Sequence, residues 1–161
     1  MPSVSFTLCQ IFGSKQTGPY FNSELINHEN KNIINTADRI PMALQKYQET
    51  FPNQSIDVIL LNTVIWDHHR MVLVLPNDEL RSFASTPGHP LYVEILQTFR
   101  HDVNRLIQNT IQLLLQQQAY KRKLPVLGLR TQYYYNPTHF LKPGPLLDAM
   151  NDVIRDLAAD Y

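Results

Sequence analysis

One stretch limits what this chain can fold into more than any other: Ile56-Asp57-Val58-Ile59-Leu60-Leu61-Asn62-Thr63-Val64-Ile65-Trp66-Asp67-His68-His69-Arg70. Its first half is a β-branched apolar run of strand length, which reads as a central strand buried on both faces. Its second half changes character abruptly. Asn62, Trp66, Asp67, two histidines and Arg70 crowd the carboxyl end of that strand, where open parallel sheets bind their ligands. A site is expected there.

The elements around this strand follow from periodicity and turn chemistry. Ser3 to Phe12 alternates Val4, Phe6 and Leu8 with smaller or polar residues and reads as a strand. Residues 13–35, with Gly13, Gly18, Pro19 and many Asn and Ser, read as a long loop. Thr36 or Asp38 is placed to cap a helix beginning near Arg39, with Ile40, Leu44 and Tyr47 on one face and Pro52 as its stop. The key strand, Ile56 to Asn62, comes next. From Val64 to Pro90 the prolines and Gly88 break any period, so this region reads as irregular. Leu91 to about Gln118 is the longest helix, with Leu96, Phe99, Val103, Leu106 or Ile107, Thr110, Ile111 and Leu114 at three- and four-residue spacing. Leu124 to Leu129 reads as a buried strand with Arg130 and Thr131 at its carboxyl end. A polar aromatic loop follows, containing Tyr133, Tyr134, Tyr135 and His139. A final helix opens at Pro145, with Leu146, Leu147, Met150, Ile154 and Leu157 turned one way. The order β-α-β-α-β-α predicts a parallel sheet covered by helices, joined by right-handed crossovers.

Composition narrows the function classes. The 161 residues, 43% hydrophobic, suit one domain spanning 1–161. Lys plus Arg and Asp plus Glu balance at 14 each, which leaves no excess positive charge to neutralise phosphates; nucleic acid is not an expected partner. The single cysteine, Cys9, forms no internal disulfide and, between apolar neighbours, reads as a buried structural thiol. No apolar run reaches the roughly 18 residues of a membrane helix, and no signal-peptide pattern opens the chain. A cytoplasmic protein without a membrane partner is the expectation.

The segment from Asp57 to Asp67, followed by Arg70, resembles the D-V-[apolar]3-N-[ST]-x-x-W-D-x-x-R motif of PC-esterase-like proteins, a branch of the GDSL/SGNH hydrolase superfamily. Leu127-Gly128-Leu129-Arg130-Thr131 is similar to that family's strand ending in W-[RN]-T, with Leu129 where the family usually has Trp. Asn151 matches its N-x-x-[small] helix. The resemblance implies a three-layer α/β/α sandwich with a parallel sheet, SGNH-hydrolase-like and flavodoxin-like, carrying a Ser nucleophile, a His base and an oxyanion hole. This sequence departs from that plan. No serine follows Gly-Asp, and no aspartate has His three residues on, so neither the G-D-S nucleophile nor the D-x-x-H base is present. The 161 residues then correspond to the middle of the fold, without its nucleophile-bearing first strand and its terminal segment. The implied function is an acyl-ester hydrolase domain fragment, inactive as written; the alternative is a non-catalytic relative that binds a ligand or protein through the Asn62 to Arg70 edge.

No catalytic residue is therefore assigned. The candidate pocket and oxyanion-side residues are Asn62, Trp66, Asp67, Arg70 and Arg130. The family's oxyanion Asn precedes the Asp matched by Asp67, and Trp66 stands there; its indole N–H or the Asn62 amide would have to substitute. The competing reading makes Trp66 a core cap and Asp67 a turn residue bonded to local backbone. Arg70 and Arg130 either hold the carboxylate or phosphate of a ligand or pair with Asp67 or Asp102. Adjacent His68 and His69 diverge, and neither they nor His101 and His139 have zinc spacing, so no metal and no cofactor is expected. Asp67 with His69 would mimic part of a triad, yet Ser82 and Ser85 lack the strained turn that a nucleophile needs. The expected partners are a small ester or an anionic ligand, with self-association through a sheet edge left uncovered by the missing strands.

Overall fold

The computed structural model describes residues 40–64, 67–68, 75–116, 124–132 and 144–161. The strand at 3–12, the loop at 13–35, the caps Thr36 and Asp38, Cys9, Trp66, His69, Arg70, the tyrosines 133–135 and His139 lie outside these residues. The described part is mixed α/β, with four helices and a two-stranded parallel sheet: α1 (Ile40–Thr50), β1 (Val58–Leu61), α2 (Asp78–Ala84), α3 (Pro90–Gln116), β2 (Val126–Leu129) and α4 (Pro145–Asp160).

The helix α1 buries Ile40 and Leu44, leaves Tyr47 half-buried, and ends ahead of Pro52, where Phe51 N–H donates to the Tyr47 carbonyl at 2.8 Å. The strands β1 and β2 pair in parallel with Val58 opposite Val126 and Leu61 opposite Leu129. Both are shorter than the apolar runs containing them. The 27-residue α3, about 40 Å long at 1.5 Å per residue, carries the chain back from β1 toward the start of β2. Its buried stripe runs Tyr92, Ile95, Phe99, Val103, Leu106, Ile107, Thr110 and Leu114, so both Leu106 and Ile107 point inward, whereas Leu96 and Ile111 are only half-buried. Thr110 is tolerated in this apolar stripe because its hydroxyl donates to the Leu106 carbonyl at 2.7 Å.

The start of α3 is built by residues that sequence periodicity passed over as irregular. Asn77 caps α2 by accepting from Leu80 N–H at 2.8 Å, and Arg81 ties back to the Leu75 carbonyl at 3.1 Å. Gly88 takes φ +82, a left-handed conformation that suits glycine, and turns the chain into α3. The ring of His89 then stacks on Phe83 with centroids 4.4 Å apart, and its Nδ1 accepts from Leu91 N–H at 3.1 Å, standing in for a cap. Against α3 lies α4, with Leu146, Leu147, Met150, Ile154 and Leu157 all buried. Arg100 of α3 reaches Asp156 at 3.2 Å and Asp160 at 3.4 Å on α4. These groups are largely exposed, so each pair contributes about 0.2–1 kcal/mol, while one fully buried residue such as Phe99 contributes about 1.5–3 kcal/mol. Apolar packing holds the two helices together.

Two expectations are corrected. The β1 strand is not buried on both faces, and the strand expected to be buried at Leu124 to Leu129 is not buried either: Ile59, Leu61, Leu127 and Leu129 turn toward the core, but Val58 is 61% exposed, Leu60 57% and Val126 59%. A strand alternates its side chains, and among the described residues helices back only one face of the sheet. The described residues therefore form two layers.

Tyr92 sits where the starts of α3 and α4 meet, its hydroxyl donating to the Pro145 carbonyl at 3.2 Å. Burial raises its pKa above the ordinary value of 10.0, and the carboxylates of Asp148 and Asp152 add to the rise. The folded state thus holds this proton more tightly than the unfolded chain, so its stabilising effect is complete below the unfolded pKa and fades as pH climbs through the folded one. Tyr92→Phe is expected to lower stability by about 1 kcal/mol at pH 7 and to flatten the alkaline loss above pH 10.0. Urea unfolding midpoints of both proteins across that range check it; parallel pH curves would contradict the assignment.

Candidate functional site

The parallel register places the carboxyl ends of β1 and β2 side by side. Arg130 N–H donates to the Leu61 carbonyl at 2.9 Å, which carries the ladder one step past β2 and sets Arg130 across from Asn62. Asp57 lies at the opposite end, where its carbonyl accepts from Val126 N–H at 2.9 Å. Asn62 and Arg130 are thus brought together at one rim.

Beyond Asn62 the backbone turns helical, with Asp67 N–H donating to the Thr63 carbonyl at 3.2 Å. That turn carries Thr63, Val64, Asp67 and His68 inward: Asp67 is 0% exposed and His68 6%. Neither Asp67 nor His68 is without a partner. A carboxylate closed off from solvent in this way is a structural group first, since it meets a dissolved ligand only if the turn opens.

Two neighbouring polar atoms differ from it. The Asn62 side-chain oxygen and the Thr63 hydroxyl are both buried without a hydrogen-bond partner among the described residues. Leaving a buried polar atom unsatisfied costs about 1–3 kcal/mol, so these two successive residues at a strand's carboxyl end are where a polar partner would contribute most. Thr63 was not singled out from the sequence, where it entered only as the Ser-or-Thr position of the motif; its burial beside the turn is what exposes the deficit.

The other side of the rim is held by a side-chain clamp. Asn151, 5% exposed on α4, accepts from Gln132 N–H at 2.8 Å and donates to the Gln132 carbonyl at 3.0 Å. The carboxamide satisfies both backbone groups of Gln132 as a neighbouring strand would, which anchors the segment Arg130-Thr131-Gln132 to the core. Gly128 permits a second close approach, because the Leu60 side chain lies 3.0 Å from where a Cβ at 128 would sit.

Arg130 itself is exposed and makes no ion pair among the described residues, so the alternative in which it pairs with Asp67 or Asp102 is not found. Asp102 instead meets His101 at 3.4 Å on α3, and its second oxygen is buried without a partner. Trp66 and Arg70 lie outside the described residues. Ser82 and Ser85 belong to the end of α2, where the Ser82 carbonyl accepts from the Thr86 hydroxyl at 2.8 Å. Among the described residues no three His, Cys, Asp or Glu side chains gather to hold a metal ion, and no helix is long and apolar enough to cross a membrane.

No family model matches this sequence, and neither a curated protein nor a solved structure is detectably similar to it.

The clamp makes a direct prediction. Asn151→Ala removes the two hydrogen bonds that tie the Gln132 backbone to α4, which should cost about 2 kcal/mol. Amide hydrogen exchange at residues 130–132 should accelerate together with that loss; unchanged exchange there would show that the segment is held by other means.

Proposed function

We propose that this chain is a domain of SGNH/PC-esterase ancestry that has kept the binding rim of an acyl-ester hydrolase and works by binding a small ester or anionic ligand there without cleaving it. The observation that carries this reading is the pair of buried polar atoms on Asn62 and Thr63 that find no hydrogen-bond partner among the described residues, at the rim where the strand register sets Arg130 across from Asn62. The Asn62 oxygen needs a donor, the Thr63 hydroxyl donates or accepts, and Arg130 supplies a cation, so the fitting ligand carries a hydroxyl as well as a negative or strongly polarised oxygen. A three-layer α/β/α ancestry for the sheet belongs to the same proposal.

Support for the ancestry comes from the motif Asp57 to Asp67 and from the parallel order of the two strands it concerns. Support for binding over catalysis comes from chemistry. Ester cleavage through a covalent intermediate needs an activated nucleophile with a base in hydrogen-bond reach, and the sequence offers neither the G-D-S serine nor the D-x-x-H histidine. In this role Asn62 and Thr63 hold the polar head, Arg130 its charge, and Asp67 stiffens the turn beneath them. Trp66 and Arg70 are proposed to line the same edge.

Two outcomes are expected. The protein should hydrolyse p-nitrophenyl acetate no faster than buffer; turnover that disappears in Asp67→Ala would overturn the non-catalytic reading. Titration with 3-hydroxybutyrate, whose hydroxyl donates and whose carboxylate accepts, followed by amide NMR, should shift the signals of Asn62, Thr63 and Arg130, and Arg130→Gln should weaken it about tenfold, the effect of losing roughly 1.4 kcal/mol of charge-assisted hydrogen bonding. Absence of any shift at Asn62 and Thr63 with 3-hydroxybutyrate or its methyl ester would remove the ligand site.

A further inference from the structure

The face of the sheet turned away from the core carries the side chains of Val58 and Leu60 on β1 and Val126 on β2, with Leu124, 46% exposed, just before β2. All four are large and apolar, and they adjoin one another through the strand register. We propose that this face is the docking surface for the chain's own N-terminal segment, residues 1–39, seated through Val4, Phe6 and Leu8. The inference is independent of any ligand at the rim.

Size argues against a second copy of the protein as the occupant. Two strands of four residues span about 13 Å by 10 Å, on the order of 130 Å². A stable interface between proteins buries about 800 Å² per partner. A patch this small suits a tethered segment, for which no loss of free translation opposes docking.

Chain geometry and chemistry select the segment. Residues 1–39 run directly into Ile40, which opens α1 with its side chain in the same core that Ile59 and Leu61 face. They are the longest stretch outside the described residues. Within them Val4, Phe6 and Leu8 alternate with Ser5, Thr7 and Cys9, followed by Ile11 and Phe12, and residues 3–12 carry no charge. One apolar side without charge is the complement of a patch made of Val and Leu alone. The other apolar run, Met71 to Val74, is tethered at both ends, by His68, which is 6% exposed, and Leu75, which packs against the core. Its two anchors are committed to the opposite side of the sheet.

Cysteine chemistry tests the proposal cleanly, because Cys9 is the chain's one thiol. In a Cys9→Ser background, Leu60→Cys and, separately, Val126→Cys are reacted with a charged maleimide, with Leu115→Cys on α3, 64% exposed, as the open reference. Labelling at 60 and 126 is expected to be at least about tenfold slower than at 115 and independent of protein concentration, as for a cover that opens at a cost of about 1.4 kcal/mol or more. Keeping Cys9 and adding Leu60→Cys, a short bismaleimide should then join the two thiols within one chain. Equal labelling rates would show a bare face and overturn the proposal. Protection that grows with protein concentration, or a cross-link formed only between chains, would assign the face to a second copy and overturn it equally. Protection without any link from Cys9 would assign the cover to another segment.

Discussion

Two four-residue strands can pair in parallel only if the chain is carried from the end of one back to the start of the other, and the rest of this structure is arranged around that requirement. A parallel ladder offers few hydrogen bonds at this length, four registered residue pairs from Val58 to Leu61, and is weak alone. Its persistence depends on the helices that bury Leu61, Ile59, Leu127 and Leu129. The eight inward side chains of α3 and the six of α4 provide that burial. With each large apolar group contributing about 1.5–3 kcal/mol, packing outweighs the exposed Arg100 pairs several times over.

The same pairing decides what stands at the rim. Because the strands run parallel, both carboxyl ends emerge together, and Asn62 meets Arg130 without any special contact between their side chains. The rim is then stiffened from two directions: the turn after Asn62 is sunk into the core through Val64 and Asp67, and the residues after Arg130 are gripped by Asn151. A rim held on both sides keeps Asn62 and Thr63 in place, although their side-chain oxygens find no hydrogen-bond partner among the described residues.

The helices were the most legible part of the sequence. Repeats at three and four residues marked α3 and α4 almost to their ends, and the apolar inward residues of α4 are the ones that its pattern names, with Asn151 the polar addition. A helix writes its buried stripe locally, through residues a turn apart. The short helix α2 and the His89 cap were not legible, because Asn77, Arg81, Gly88 and His89 act through individual hydrogen bonds, a stack and one left-handed dihedral, none of which has a period. The β1 strand was identified but its surroundings were misjudged: a continuous apolar run looks buried on both sides, although the described helices back only one.

For the site the division is similar. Local residue types established that a strand rich in Val, Ile and Leu gives way to polar groups at Asn62, that Arg130 follows a second such strand, and that the nucleophile and base motifs of an ester hydrolase are missing. These follow from short-range pattern and from the chemistry each side chain carries. That Asn62 and Arg130 share one end, that Asp67 is sealed inside, that Arg130 makes no ion pair among the described residues, and that Asn151 braces Gln132 from nineteen positions away all required the folded arrangement. Such facts concern pairs of residues far apart along the chain, and their distance in space is set by how strands register and helices pack, which no local pattern encodes.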